Sequence, residues 1–176
     1  KHFLLKEIHE QPRALIDTMR GRVSVERGEI LFEDEGPSPE VLAPVGRVHL
    51  AACGTSHHAA LVGRHLLTTL AGVPVEVHLA SEYDPAVALL HPGELFVSVS
   101  QSGETLDTLR TQREAKAAGA RTLAVCNVVA SSLARDADHV IHTHAGPEIS
   151  VASTKAFTTQ IVTLYLLALA IGRARG

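Results

Sequence analysis

The stretch Ser100-Gln-Ser-Gly-Glu-Thr105 gathers hydroxyls, an amide and a glycine between a predicted strand and a predicted helix. The residues before it alternate β-forming side chains, and Leu106, Leu109 and Ala117 after it recur at helical spacing. The first turn of a helix carries unpaired backbone N–H groups and the positive end of the helix dipole, and both favour an anion. The hydroxyls add neutral donors, and Gly103 permits close approach of the backbone. We interpret this stretch as a phosphate-binding turn.

An ordinary helix N-cap is the alternative interpretation, because Ser, Thr and Gly suit any strand-to-helix turn. One hydroxyl would suffice for a cap, whereas Ser100, Ser102 and Thr105 place three within six residues. The excess of hydroxyls favours the phosphate site.

A second turn, Cys53-Gly-Thr-Ser56, also joins a predicted strand to a predicted helix and carries a glycine and two hydroxyls. Capping by Ser56 is again the simpler alternative. Neither turn has the glycine pattern of a dinucleotide fold or the Gly-Lys-Ser/Thr ending of a P-loop, so both of those sites are disfavoured. Cys53 could act as a nucleophile at the helix start, but packing is the commoner role of a free cysteine.

A third polar segment, Glu148-Ile-Ser-Val-Ala-Ser-Thr-Lys155, follows the last predicted strand. It either contacts a substrate, or Ser153 merely caps the final helix while Lys155 is solvated. The sequence leaves both interpretations open. The eleven histidines include the pairs His57-His58 and His142-x-His144, but adjacent histidines diverge on a helix and the second pair has no acidic or thiol companion. We therefore expect no metal site.

Alternating strands and helices position these segments from Arg47 onward. The pattern predicts a three-layer αβα fold with a five-stranded parallel sheet in the flavodoxin-like order 2-1-3-4-5. In that order the first and third strands flank the switch point, where ligands bind, and they end in the two hydroxyl-rich turns. The predicted strands are Val48–Ala52, Pro74–Leu79, Leu95–Ser100, Thr122–Asn127 and His139–Thr143. One helix is predicted from the Cys53–Ser56 turn to about Leu70. The other predicted helices cover Ser81–Leu90, Thr105–Ala118, Ser131–Arg135 and Ser153–Gly172.

We divide the chain into an N-terminal helix and connector, 1–45, and the sheet domain, 46–176. The first helix spans about His2 to Met19, with Pro12 interrupting it, and a short helix is expected near Pro39 to Leu42. The final helix is apolar on all sides, so we expect a partner chain or a second domain to cover it. The sequence opens at Lys1 within a helical pattern, and we expect it to belong to a longer protein.

Composition narrows the function. A net charge of −3 and 3% aromatic residues argue against nucleic acid as a partner. Two cysteines give no disulfide framework and fit a reducing cytoplasm. The most apolar run, Ile161 to Ile171, is shorter than the ~20 residues that cross a bilayer, so we expect no membrane partner.

Several motifs together carry a resemblance to a known family, and they cover nearly the whole chain. They closely resemble the sugar-isomerase (SIS) domains of the glucosamine-6-phosphate synthase family, the isomerising glutamine–fructose-6-phosphate aminotransferases. Members have a glutaminase domain and two tandem SIS domains, and this chain resembles the first SIS domain. The motifs are the opening His2-Phe-Leu-Leu-Lys-Glu-Ile-His-Glu-Gln-Pro12, Cys53-Gly-Thr-Ser56, Ser100-Gln-Ser-Gly-Glu-Thr105, Cys126-Asn-Val, Ser131-Ser-Leu and Glu148-Ile-Ser-Val-Ala-Ser-Thr-Lys-Ala-Phe-Thr-Thr-Gln160.

The resemblance implies a site for a hexose 6-phosphate, fructose 6-phosphate or glucosamine 6-phosphate, without cofactor or metal. It also implies a homodimer, and it places the family's proton-transferring residues in the second SIS domain and the tail, so none is assigned here. Ser150 departs from the glycine common at its position. The residues that would hold the phosphate are Ser56, Ser100, Gln101, Ser102 and Thr105. Those that would line the sugar are Cys53, Gly54, Thr55, Val151 and Ser153.

Two other functions remain open. SIS domains also occur as non-catalytic sensors of sugar phosphates, which a helix-turn-helix in the parent gene would favour. Stand-alone sugar-phosphate isomerases or deglycases of the same superfamily are the third possibility. An upstream glutaminase would favour the synthase.

Overall fold

A five-stranded parallel sheet lies at the centre of the computed structural model, which describes residues 2–32 and 36–176. The strands are β1 (Val23–Ser24), β2 (Glu29–Ile30), β3 (Val48–Ala52), β4 (Val75–Leu79), β5 (Leu95–Ser100), β6 (Arg121–Cys126) and β7 (His139–His142). The helices are α1 (Phe3–Met19), α2 (Pro39–Leu42), α3 (Gly54–Leu66), α4 (Pro85–Ala88), α5 (Leu106–Ala117), α6 (Ser132–Asp136) and α7 (Lys155–Arg175).

The order of the central sheet is β4-β3-β5-β6-β7, and every neighbouring pair is parallel. In chain order this is the predicted 2-1-3-4-5 arrangement. The observed bounds of each strand of the central sheet differ from the predicted bounds by at most one residue at either end. The fold class is therefore confirmed, and the switch point lies between β3 and β5.

Helices cover both faces of the sheet because both faces are apolar. On one face, β-strand residues such as Leu50 and Val97 pack in a single cluster with Leu164 and Leu167 of α7. On the other face, Phe96 packs with residues of the α4 and α5 layer. Every residue of β3 and β5 is buried. Burial of each large aliphatic side chain contributes about 1.5–3 kcal/mol, which makes these two strands a rigid support for the turns that follow them.

The final helix α7 is covered by its own chain, so the expectation that a partner must cover it is wrong. It packs against α1, α2 and α3 and against the sheet, and Leu164, Leu167 and Ile171 are fully buried. Within this fully described helix, Tyr165 is the exposed large apolar side chain. The helix is long and apolar enough to cross a membrane, but 61% of its most apolar window is buried inside the domain, as in a core helix.

Helix α1 continues through Pro12, contrary to the predicted interruption. A proline removes the backbone N–H that would bond to the carbonyl four residues earlier, here that of Ile8. The side chain of Gln11 donates its Nε2 to that carbonyl at 3.1 Å and replaces the missing bond. The neighbouring amide thus allows the helix to continue to Met19.

The N-terminal segment packs onto the sheet domain at the end of β7. Thr18 donates its hydroxyl to the carbonyl of Thr143 at 2.6 Å, and the guanidinium of Arg22 donates to the carbonyl of His142 at 2.6 Å. The β1–β2 hairpin was not predicted, while the short helix at Pro39–Leu42 is confirmed. The division at residue 45 stays a prediction.

The helix predicted for Ser81–Leu90 is instead two short pieces, a 3₁₀ turn at Ala80–Glu82 and α4. The backbone is extended at Tyr83 and Asp84. At Asp84 the reason is Pro85, because a proline disfavours the helical conformation of the residue before it. Asp84 then caps α4 by accepting the N–H of Ala86 at 2.9 Å.

Candidate functional site

The two hydroxyl-rich turns lie side by side at the carboxyl edge of the sheet. Strands β3 and β5 are hydrogen-bonded neighbours, with Ala52 opposite Val99, so Cys53 and Ser100 leave the sheet next to one another. We call Cys53–Ser56 the first turn and Ser100–Thr105 the second turn. Each leads into a helix N-terminus, α3 and α5 respectively. Two helix dipoles and two sets of hydroxyls thus meet at the switch point.

The hydroxyls of the second turn are held by short-range hydrogen bonds. Ser100 Oγ lies 3.1 Å from Thr105 Oγ1 and accepts the N–H of Gly103 at 3.1 Å. Ser102 Oγ accepts the N–H of Glu104 at 3.2 Å. Ser100 is buried, whereas Ser102 and Thr105 are partly exposed. These hydrogen bonds therefore fix the conformation of the turn, and two of its three hydroxyl-bearing residues are partly exposed.

These hydroxyls do not cap the helices. Thr105 occupies the N-cap position of α5 but makes no side-chain capping hydrogen bond. The N-cap of α3 is Cys53, and Ser56 Oγ instead accepts a hydrogen bond from Gln160 Nε2 of α7 at 3.0 Å. Because Ser56 and Ser102 act as acceptors in these bonds, their hydroxyl protons are available to an incoming anion.

Glycine is the one residue type that fits position 103 in the second turn. Its φ is +66°, a left-handed conformation that glycine adopts without strain. A Cβ at this position would lie 2.5 Å from Ser131 Cβ. The turn thus packs directly against the start of α6.

The carboxylate of Glu104 braces the second turn instead of facing its hydroxyls. Its Oε1 accepts the backbone N–H of Ser132 at 2.7 Å, at the N-terminus of α6. This hydrogen bond is the main cause that lowers the pKa of Glu104 below the ordinary 4.5. Glu104 is therefore a charged helix-capping group.

Glu148 likewise accepts backbone N–H groups at the start of α7, and the interpretation in which Ser153 caps that helix and Lys155 is solvated is wrong. Glu148 Oε1 accepts the N–H of Thr154 at 2.8 Å, and its Oε2 accepts the Ser153 hydroxyl at 3.0 Å. The N-cap residue of α7 is Thr154, not Ser153. Lys155 is not solvated: it is 4% exposed, and its Nζ donates to Glu10 Oε2 at 2.7 Å.

A second carboxylate from α1 holds the middle of the third segment. Glu7, which is 2% exposed, accepts the N–H of Ile149 at 2.6 Å and both the hydroxyl and the N–H of Ser150. The bonds from Ser150 and then Ile149 lower the pKa of Glu7. Val151, next along, is fully exposed. This segment therefore presents Val151 to solvent beside a firmly held backbone.

Two supporting residues were missed by residue-level reasoning. Gln160 links α7 to the first turn, and the sequence separation of 104 residues gives no local signal for that contact. Asn127 follows β6, donates its backbone N–H to the carbonyl of Gln101 at 3.1 Å, and accepts from Ala145 N–H at 2.8 Å. A polar residue directly after a strand, next to the switch point, was the available signal.

A cleft of about 760 Å³ lies beside these turns and is separate from them. It is lined by α1 and by the segments after β6 and β7, including Arg13, Asn127 and His144. Asn127 connects the two regions through its bond to Gln101. The polar groups of the two turns thus lie outside this cleft and do not line it.

The sequence-adjacent histidine pairs form no three-ligand group within the described residues. The rings of His57 and His58 are 6.3 Å apart at a steep angle, and those of His142 and His144 are also 6.3 Å apart. The two cysteines are not joined in a disulfide; Cys53 is half-buried at the start of α3, and Cys126 is buried and accepts from the hydroxyl of Ser131 at 3.7 Å.

Comparisons with known proteins identify the family and the fold. A protein-family model described as "SIS domain" matches residues 41–170. Two relatives are 55% and 51% identical to this chain: the glutamine–fructose-6-phosphate aminotransferases (isomerising) of Symbiobacterium thermophilum and Pseudomonas putida, respectively. These matches cover 99% and 100% of this chain, which spans 29% of the length of each relative.

Solved structures give the same result. The C-terminal domain of glucosamine-fructose-6-phosphate aminotransferase from Francisella tularensis matches 99% of this chain with a TM-score of 0.87 at 39% identity, and 48% of that chain is covered. A glucosamine-6-phosphate deaminase from Thermotoga maritima shares the fold at 20% identity, with a TM-score of 0.71 over 95% of this chain and 48% of its own.

Proposed function

The chain belongs to the SIS domain family, and from this premise we propose that it is the first SIS domain of an isomerising glutamine–fructose-6-phosphate aminotransferase, where it binds a hexose 6-phosphate. In that enzyme, fructose 6-phosphate and glutamine give glucosamine 6-phosphate and glutamate. A glutaminase domain and a second SIS domain would complete the polypeptide. The relatives that carry this name support the proposal, since this chain aligns with them over nearly its full length.

One observation carries the proposal: the hydroxyls at the switch point are not used as helix caps. Ser56 and Ser102 accept hydrogen bonds from within the domain and retain their protons, and the N-termini of α3 and α5 lie beside them. Neutral donors and helix dipoles together bind a phosphate dianion without a metal. In this proposal the phosphate is held by Ser56, Ser100, Gln101, Ser102 and Thr105.

The sugar would extend from the phosphate toward the first turn and the third segment. Cys53, Gly54 and Thr55 offer a thiol, a backbone and a hydroxyl at the start of α3, and all three are at least partly exposed. Val151 and Ser153 approach from the segment before α7. The full exposure of Val151 supports a site that a further part of the protein closes.

The domain would bind and orient the substrate without moving protons at its reacting carbons. Glu104 and Glu148 are the carboxylates near the turns, and each already accepts backbone N–H groups at a helix start. General acid–base catalysis requires a group within hydrogen-bond reach of the proton it transfers. The proton-transferring groups would therefore come from outside this chain. The proposal includes a homodimer and a cytoplasmic location, and it includes no cofactor.

Amide chemical-shift mapping by NMR tests where the ligand binds. With glucosamine 6-phosphate, we expect the largest shifts at the amides of Gly54, Gly103 and Thr105. With inorganic phosphate, we expect shifts at the second turn and at Ser56. Shifts confined to the cleft around Arg13 and His144 would contradict the proposed site.

A further inference from the structure

Three side chains that bind metals well in proteins converge on the face of the sheet that carries Phe96. They are His49 on β3 and Glu76 and His78 on the edge strand β4. Among residues 2–32 and 36–176, this is the one group in which three such side chains bring their ligand atoms within 4.8 Å of one another. Nothing in the proposed phosphosugar site uses it.

The register of the sheet produces this convergence. His49 and Glu76 are directly paired across β3 and β4. His78 lies two residues beyond Glu76 and therefore projects from the same face of the sheet. His49 Nδ1 lies 3.0 Å from His78 Nε2 and 3.9 Å from Glu76 Oε2. One nitrogen from each imidazole and one carboxylate oxygen thus face a common point.

Further contacts orient these groups as they are oriented in metal centres. His49 is fully buried, and its Nε2 lies 3.0 Å from Glu94 Oε2. A carboxylate on the far nitrogen of a histidine fixes its tautomer, so that the other nitrogen presents a lone pair. The ring of His78 is held edge-on against Tyr83, at a centroid distance of 5.2 Å.

The local charge also favours a cation. Arg47 Nη1 binds Glu76 Oε1 at 2.5 Å, and its Nε lies 3.5 Å from Glu94 Oε1. Each carboxylate therefore keeps its other oxygen toward the histidines. Two carboxylates and one guanidinium sum to one negative charge. A divalent cation in this setting offsets that charge.

A cleft of about 570 Å³ gives access from solvent. It is lined by Glu76 and His78, together with Arg64, Glu82 and Tyr83. Two imidazoles and one carboxylate with an open fourth position form a donor set that zinc accepts, with water as the fourth ligand.

We propose that His49, Glu76 and His78 bind a divalent transition-metal ion of the zinc class, which fastens the edge strand β4 to β3. The competing explanation is a simple hydrogen bond between the two imidazoles, with no affinity for metal. This proposal departs from our sequence-based expectation of no metal site. It does not depend on the phosphosugar site, so either proposal can fail alone.

Metal titration of the chelator-treated chain decides between the two explanations. With zinc chloride, calorimetry should show one ion per chain and a melting temperature raised by several degrees, since a ligand that binds only the native state stabilises it. Cobalt(II) should give the visible absorption of a four-coordinate nitrogen and oxygen site, without the intense near-ultraviolet band of a thiolate ligand.

Matched variants assign the binding to these residues. His78→Gln keeps a donor for His49 but removes a metal ligand, and it should lower the affinity for zinc at least about tenfold. Glu94→Gln should lower the affinity for zinc by about tenfold, because Glu94 orients His49. His65→Gln, an exposed histidine on α3, should leave the affinity unchanged. Melting in chelator establishes that each variant is folded. Absence of zinc binding, affinity unaffected by His78→Gln, or a thiolate band from Cys53 would overturn the proposal.

Discussion

At the scale of single residues, the hydroxyl protons of the two turns are the feature on which the phosphate site depends. Ser102 accepts from Glu104 N–H and Ser56 accepts from Gln160, so neither uses its proton in these bonds. Thr105 and Ser100 share one contact of 3.1 Å, in which one of the two donates. A phosphate can therefore take hydrogen bonds here without breaking an existing cap.

Removing one of these hydroxyls should weaken ligand binding and leave the fold intact. Ser102→Ala and Thr105→Ala each delete a hydrogen bond to a charged group, worth about 1.5–3 kcal/mol, or about 10- to 150-fold in affinity. Calorimetry with fructose 6-phosphate measures the loss, and Ser81→Ala, on the exposed 3₁₀ turn, is the control. A fall in melting temperature large enough to explain the weaker binding would instead support a capping role.

Gly103→Ala should destabilise the domain. A side chain at φ +66° is strained by about 1–3 kcal/mol, and its Cβ would lie 2.5 Å from Ser131 Cβ. Denaturant unfolding should show at least that loss. Gly46→Ala is the matched control, because no atom lies within 4 Å of its added Cβ. Equal stability of the two variants would mean that α6 moves away without cost.

At the scale of elements, two carboxylates of α1 connect this helix to the segment before α7. Glu7 accepts from Ile149 and Ser150, and Glu10 pairs with the buried Lys155. The bond from Lys155 is the main cause that lowers the pKa of Glu10, as those from Ser150 and Ile149 lower that of Glu7. Helix α1 is thereby a support of the third segment and not a detached leader.

These contacts predict a dependence of stability on pH. Because the pKa of Glu7 in the folded protein is below its ordinary value of 4.5, its contribution is fully present above pH 4.5 and is lost as the pH falls through the lower, folded value. Melting temperatures should therefore fall in acid, and Glu7→Gln should show a shallower fall over that window. Parallel curves for the two proteins would show that Glu7 is not a source of the acid sensitivity.

The elements themselves were predictable where local pattern decides them. The strands β3 and β5 are short runs of mostly β-forming or apolar residues followed by glycine-containing turns, and their bounds match the prediction. The continuity of α1 through Pro12 and the capping of α7 by Glu148 depend on individual side-chain bonds that no periodicity encodes. The two hydroxyl-rich turns lie at neighbouring strand ends as expected, but Gln160 contacts the first turn, and Glu7 the third segment, only through the tertiary fold.

At the scale of the whole molecule, helix α1 leaves several large apolar side chains exposed. Phe3, Leu5 and Ile16 are more than half exposed, whereas α7 is enclosed by the domain. Exposed apolar side chains of this kind mark interfaces. We therefore still expect a dimer, now without the argument from α7. Light scattering on the isolated chain should give twice the monomer mass; a monomer at all concentrations would contradict this.

The isolated chain should not convert fructose 6-phosphate to an aldose phosphate. Its two nearby carboxylates cap α6 and α7, and we propose that the proton-transferring residues lie outside this chain. A coupled isomerase assay should give no rate above background. Turnover that is abolished by Glu148→Gln would show that the proton transfer belongs to this chain.

We propose that this domain recognises the phosphate of a hexose 6-phosphate through neutral donors and helix N-termini. Calorimetry with fructose 6-phosphate and with fructose, each in the presence of a chelator, measures the contribution of the phosphate. The phosphate ester should bind at least about tenfold more tightly than the free sugar, because the charged hydrogen bonds are lost with the phosphate. The chelator should have no effect on sugar binding. Equal affinity for the two sugars, or binding that disappears with the chelator, would contradict it.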